Sequence, residues 1–384
     1  MASLIPEDLT QAGAHVLVIG TSAYKHLDDG TEPTHKGELL GMQQLTAAAS
    51  SASLFARWAL TEYSNPRAPL RSLRVLLSPS PGESIHPDVG TNLTGDFSTT
   101  IDNVKKEVIA FRRACDKFKD NVAIVYIAGH GVQLTKAGAI VLLHDCGSDA
   151  HANLLEGAID MAGVHAGFNH PNTAQTQFWF VDACRQQLPI AARFESLAGP
   201  FTLDEPPGIA ESTPMFLAAT TGNAAYAHVR GQTLFNEALL WGLRGGIAAP
   251  PDPALSKKWH VSVLELVKSL LPRVKALALS ERATQTADPA GRVSNAMLHE
   301  YVSTPKVDLR VALSPVDAVR VSTGSLRHGQ LGMVVENYTN WPLERPVDAG
   351  VYEMKIEVTN GFRSYSDLLM IKPPNEIRNI DLSP

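Results

Sequence analysis

Cysteine is scarce in this chain, with three in 384 residues, at Cys115, Cys146 and Cys184. The count is odd and no pair has C-x-x-C spacing. Neither a disulfide framework nor a cysteine-built zinc site is therefore expected, and a reducing, cytoplasmic setting fits best. A surplus of positive charge is also missing: Lys+Arg 33 against Asp+Glu 39 gives −6. That balance argues against a protein built to coat nucleic acid. No run approaches the roughly 20 uncharged apolar residues of a membrane span, so no membrane partner is expected. The first residues, MASLIPEDLTQAG, lack a basic segment followed by an apolar run, so no secretory signal is expected. A phosphate-cradling glycine loop, a G-x-S-x-G elbow and an H-E-x-x-H zinc helix are all absent. So are internal repeats and low-complexity tracts. What is present is 44% hydrophobic and 19% charged residues, enough to exclude disorder throughout. The length suits two domains, or a large one with a small one.

Residues 15–20 (HVLVIG), 72–77 (SLRVLL), 122–128 (VAIVYIA), 139–143 (AIVLL), 177–183 (QFWFVDA) and 215–219 (MFLAA) are short apolar runs that read as buried strands. Helical patterns lie over 42–63, 99–118, 153–167, 233–244 and 259–279. In the second, Ile101, Val104, Val108 and Phe111 recur on one face, and Cys115 continues it as a small core residue. Alternation of continuous apolar strands with helices predicts an α/β fold with a mostly parallel central sheet flanked by helices. After Pro305 the pattern changes. Val307, Leu309, Val311 and Leu313 alternate with polar residues, as do Tyr352, Met354, Ile356 and Val358. That is a small C-terminal all-β unit, a sandwich. The expected domains are 1–304, with a core of about 14–245 and a helical extension over 259–304, and 305–384. Residues 186–214, rich in proline, glycine and acids, form a long exposed loop, and such loops are usually functional or disordered.

Two reactive residues directly follow apolar strands: His130, between Gly129 and Gly131, and Cys184. In a parallel sheet, reactive groups collect in the crevice at the strands' carboxyl ends. Neighbouring strands lie about 4.8 Å apart, so groups just past their ends can meet. An imidazole can take the proton that makes a thiol nucleophilic. The glycines let the chain turn sharply and a substrate carbonyl approach, and the amides of Gly131 and Cys184 are candidate donors to an oxyanion. His144-Asp145-Cys146 is a polar triplet at a strand end, read as solvated loop or as support for His130.

The segment VAIVYIAGHGVQL, followed by FWFVDACRQQ, resembles the caspase and metacaspase superfamily of cysteine peptidases. In its caspase signature a histidine stands about 50 residues upstream of the cysteine, as His130 does of Cys184. HVLVIGTSAY resembles the family's first strand, and MFLAATTGNAAYA with GQTLFNEALLWGL resembles the strand, pocket wall and helix after the cysteine. The resemblance covers residues 14–245. It implies a caspase-like sandwich, with Cys184 as nucleophile, His130 as general base and acid, a protein substrate and no cofactor, although calcium activates some metacaspases. Asp182 matches the acid that metacaspases place two residues before the cysteine, which implies cleavage after Arg or Lys. Tyr226 falls where the family builds its pocket wall. The second acid of metacaspases is missing, its place taken by Ser50-Ser51-Ala52, and Asp28 or Asp29 are the substitutes in reach. Arg193, the one basic residue between Gln186 and Pro214, is the expected activation cut, which makes the chain a zymogen. The β unit is then a docking module for an activating protease or a regulatory protein. Bacterial relatives act in cell death or defence. The rival reading is a catalytically silent scaffold or sensor that keeps the fold and acts by binding protein.

Overall fold

The computed structural model describes residues 3–133, 139–185, 199–204, 210–220, 222–228 and 231–384. The chain divides into two compact units: Met1–Leu240 with Leu266–Leu298, and Trp241–Glu265 with His299–Pro384.

The first unit is built on strands β1 (Ala14–Thr21), β2 (Leu70–Ser78), β3 (Val122–Gly129), β7 (Thr176–Ala183), β8 (Met215–Leu217) and β10 (Asp288–Ala290). They form one sheet in the order β10-β8-β7-β3-β1-β2. Every pairing is parallel except that of β10 with β8. Along β1 and β3 every residue is buried. That follows from a sheet covered on both faces, where neither side of a strand meets water. A smaller antiparallel sheet joins β4 (Gly131–Val132), β5 (Ile140–Leu142) and β6 (Ala158–Asp160).

The helices are α1 (His35–Glu38), α2 (Ala48–Thr61), α3 (Pro87–Gly90), α4 (Ile101–Cys115), α5 (Met161–Gly167) and α6 (Leu234–Trp241). Two more, α7 (Val263–Ser280) and α8 (Val316–Val319), follow. One sheet face, with Leu17, Ile19, Val125, Ile127, Trp179 and Val181, packs on α4 and α5. Cys115 lies in that core and is fully buried. The other face meets α2, where Phe55 stacks on Tyr126 at 4.7 Å between ring centroids. Strand alternation thus puts Tyr126, Phe180 and Asp182 on the α2 side. The Thr100 hydroxyl caps α4 by accepting the Asn103 N–H, with Asp102 in its first turn and Arg112 and Arg113 in its last, as the helix dipole favours.

Sequence periodicity reads a short strand as helix in two stretches: His260–Ser262 at the start of the helix expected over 259–279, and part of 153–167. Residues 153–167 are expected as a helix but divide into β6 and α5, because Ala158–Asp160 pairs with β5. The Asp160 carboxylate then caps α5 through the Ala162 N–H. Of the loop expected over 186–214, residues 186–198 and 205–209 lie outside the described residues.

The strands β9 (His260–Ser262) and β11 (Met297–Glu300) are short. The second unit contains β12 (Lys306–Ser314), β13 (Ser322–His328), β14 (Gly332–Tyr338), β15 (Leu343–Asp348), β16 (Gly350–Val358), β17 (Tyr365–Ile371) and β18 (Asn375–Asp381). They make two sheets, β15-β12-β18 and β14-β13-β16-β17. Val307, Leu309 and Val311, like Tyr352, Met354 and Ile356, are buried between exposed or half-buried neighbours.

Candidate functional site

Strands β3 and β7 pair with Gly129 opposite Ala183. The next residues on the two strands are His130 and Cys184. Both line one cleft of about 160 Å³ at the carboxyl end of the sheet, together with Gln44, Thr46, Asp182, Tyr226 and Thr233. Gly131 sits against the main chain of Cys184, since a Cβ there would lie 2.1 Å from the Cys184 carbonyl oxygen. No larger residue fits at that position.

His130 is fixed on both its ring and its backbone. Its Nε2 lies 2.7 Å from the Gln43 carbonyl oxygen. A carbonyl can only accept, so the proton is on Nε2 and the Nδ1 lone pair is left to act as base. The backbone N–H donates to the Tyr24 hydroxyl at 2.6 Å, and that hydroxyl donates to the Thr21 carbonyl at 3.1 Å. Burial lowers the imidazole pKa, while the Gln43 carbonyl and the Asp29 charge push it up more weakly. The ring is therefore neutral near pH 7 and able to take a proton.

Cys184 is a free, half-buried thiol. Its Sγ accepts the Ala225 N–H at 3.2 Å and lies 3.7 Å from the Ala225 carbonyl oxygen. Burial raises its pKa, the Ala225 N–H opposes that, and the Asp182 charge adds to it. Near pH 7 both groups rest uncharged, a thiol and a neutral imidazole lining the same cleft. Cys146 is buried and its thiol is pushed up to about 12 by desolvation. It lacks thiolate character.

Asp182 forms the floor of the cleft and is 3% exposed. Its Oδ2 accepts from the Tyr126 hydroxyl at 2.6 Å and from the Thr233 hydroxyl. Its Oδ1 has no hydrogen-bond partner among the described residues. Burial pushes this carboxyl up to about 6 against the pull of the two hydroxyls. A buried carboxylate with one unpartnered oxygen is short of a donor, and a cationic donor would restore the charge balance that burial upsets.

Tyr226 is 41% exposed and borders the same cleft. Its N–H donates to Gln285 Oε1 at 2.9 Å, and Gln285 Nε2 donates to the Ala218 carbonyl at 2.9 Å. Gln285, 1% exposed, staples this wall to the end of β8. The adjoining Arg185 is buried and pairs with Asp288 of β10 at 3.1 Å.

Asp29 does not line the cleft; its carboxylate accepts from the Gln44 N–H at 3.0 Å and the Gln44 side chain at 3.2 Å. It steadies the loop whose Gln43 carbonyl holds His130. Ser51 accepts the Thr233 N–H at 2.9 Å. His144 is a loop support, its Nδ1 2.7 Å from the Ala23 carbonyl oxygen. Arg193 lies outside the described residues. Among the described residues no group of three or more His, Cys, Asp or Glu side chains could hold a metal. No described helix is long and apolar enough to cross a membrane.

Sequence reasoning singles out His130, Cys184, Gly131, Asp182 and Tyr226. It does not find Tyr24, Gln43, Tyr126, Thr233, Ala225 or Gln285. Gln43 and Ala225 act through main-chain atoms, which leave no mark in residue type. Tyr126 and Thr233 do stand inside the VAIVYIA and GQTLF motifs, and strand alternation places Tyr126 on the face of Asp182.

No curated protein matches the sequence. Among solved structures, caspase-1 from Spodoptera frugiperda superposes with a TM-score of 0.44 at 10% identity, covering 76% of this chain and 94% of that one. The family model for the caspase domain (Peptidase_C14) matches residues 15–283. That span is well over half the chain, takes in the whole parallel core and both strand-end residues, and settles that the chain belongs to the caspase-domain family of cysteine peptidases.

Proposed function

We propose that this chain is a cysteine endopeptidase in which Cys184 attacks the scissile carbonyl and His130 shuttles the proton. The observation that carries the reading is the pairing of Gly129 with Ala183, which puts His130 and Cys184 at matching positions in one cleft. As the peptide carbonyl reaches Cys184, the thiol proton passes to His130 Nδ1 and sulfur bonds to carbon. The oxyanion is taken up by the main-chain N–H groups of Gly131 and Cys184. The imidazolium then protonates the leaving amine, and water, activated by the same ring, hydrolyses the thioester. The Gln43 carbonyl keeps one tautomer throughout and stabilises the charged ring when it forms.

The P1 residue is basic. Its head group reaches Asp182 Oδ1, while Tyr126 and Thr233 hold the other oxygen. Tyr226 forms the pocket's outer wall. Activity is released by cleavage or rearrangement within 186–214, with Arg193 as the cut that matches the enzyme's own preference. The strands after Pro305 serve as an accessory module for a partner protein.

The test is a panel of fluorogenic peptides with Arg, Lys, Asp or Leu at P1, with labelling by an alkylating probe. Hydrolysis after Arg or Lys, lost on stoichiometric labelling of Cys184, supports the reading. Hydrolysis that survives Cys184→Ala sinks it. Fragment mapping after incubation tests the activation step, and full activity with the 186–214 loop intact removes it.

A further inference from the structure

A second and larger cleft, of about 550 Å³, adjoins the first. The two share Thr46, and Gly231 and Gln232 of the larger precede Thr233 of the smaller. A peptide lying in one can therefore continue into the other. The larger cleft has apolar sides in Leu54 and Ile85 and hydroxyls in Ser50 and Ser53. Among the described residues that line it, Glu83 is the one carboxylate.

Glu83 comes from the turn after β2, and it is held rigidly. Oε1 accepts from the Ser22 hydroxyl at 3.0 Å and from the Ser50 N–H at 2.8 Å. Oε2 accepts from the Ser80 N–H at 3.0 Å. These three bonds fix the carboxylate at the N-terminus of α2, in whose first turn Ser50 lies. A carboxylate oxygen can accept twice, so Oε2 keeps an open acceptor position. Among the described residues that line the cleft there is no lysine or arginine, and His86 Nδ1 already has a partner, accepting the Asp88 N–H at 3.3 Å.

We infer that this cleft is a second substrate pocket, in which Glu83 binds a lysine or arginine side chain of the peptide near, but not at, P1. Leu54 and Ile85 cover the aliphatic stem, as long basic side chains prefer. Glu83 is then a specificity-determining residue. The inference rests on the peptidase reading above.

The test uses the full chain and peptides with Arg fixed at P1. Each flanking position in turn carries Lys, Arg or norleucine, and the readout is the ratio of kcat/KM for the basic over the neutral peptide. Wild type should favour a basic residue roughly tenfold at one flanking position, the effect of one charge-assisted hydrogen bond. Glu83→Gln should bring that ratio to about one. Because Glu83 also caps α2, a second variant, Gln232→Lys, leaves the cap intact and offers Glu83 an internal cation. It should erase the same preference. A wild-type ratio near one at every position, or a preference untouched by both variants, overturns the pocket and leaves the peptidase reading standing. Absence of any Cys184-dependent hydrolysis overturns that reading and the pocket with it.

Discussion

At the rim of the cleft, His130 and Cys184 take their bonds from main-chain groups of Gln43 and Ala225, apart from the Tyr24 hydroxyl under the His130 amide. At the floor, Asp182 takes its bonds from the side chains of Tyr126 and Thr233. A main-chain partner survives substitution of the residue that supplies it. A side-chain partner does not. The rim therefore has few positions where one substitution can retune it, whereas each hydroxyl around the floor is a separate control on Asp182. Under the function proposed above, the chemistry is then held constant and the choice of substrate is left adjustable.

Replacing the rim's reacting groups is the strongest way to separate the two regions. Cys184→Ala should lower kcat by roughly 10⁴-fold or more, and His130→Ala nearly as much, with peptide affinity little changed. Gln43→Ala should leave kcat within about threefold of wild type, because the carbonyl remains. Steady-state kinetics on one Arg peptide measures all three. A large loss in Gln43→Ala would show that the side chain, not the carbonyl, orients the ring, and the contrast between rim and floor would fail.

Asp182→Ala addresses the floor. Loss of a charge-assisted hydrogen bond to a desolvated cation should cut kcat/KM for Arg peptides by roughly 100-fold, mostly through KM. Activity on Leu peptides should stay level or rise. An equal loss on both peptides would mean that Asp182 merely holds the turn before Cys184. Tyr126→Phe removes one of the two hydroxyls on Oδ2 and should move the same ratio in the same direction by about tenfold or less.

The rim could be read from residue type because a strand run fixes where the chain ends its climb through the sheet. HVLVIG, VAIVYIA and QFWFVDA are continuous apolar runs, and a run buried on both sides belongs to a parallel interior strand. Once those strands are paired, His130 and Cys184 follow at the same level. Asp182 could be picked out only through the metacaspase resemblance, which places an acid two residues before the cysteine. What could not be read depends on segments whose pairing is non-local. Gln285 reaches Tyr226 from beyond α7, and Glu83 reaches Ser50 from a turn after β2. Neither bond has a local pattern. The helix expected over 153–167 failed for a related reason: a three-residue strand found a partner in β5 and overrode the local pattern.

A final test comes from pH, and it asks whether the floor carries a cost in stability. Asp182 rises from 3.8 to about 6 in the folded chain because burial penalises its charge. Between about pH 4 and 6 the folded state then binds more protons than the unfolded one, so stability falls as pH rises through that window. A shift of about two units corresponds to about 3 kcal/mol at pH 7, an upper figure for a buried group with two hydroxyl partners. Asp182→Asn has no such proton to lose. Denaturation curves at pH 4 and pH 7 should therefore show the variant gaining on wild type by about 2 kcal/mol as pH rises. Activity should run the opposite way in wild type: KM for Arg peptides should climb as pH drops through about 6, because only the ionised carboxylate attracts the cation. Parallel stability profiles for the two proteins would show that the Asp182 charge is relieved within the folded cleft, and the floor would then be no more strained than the rim.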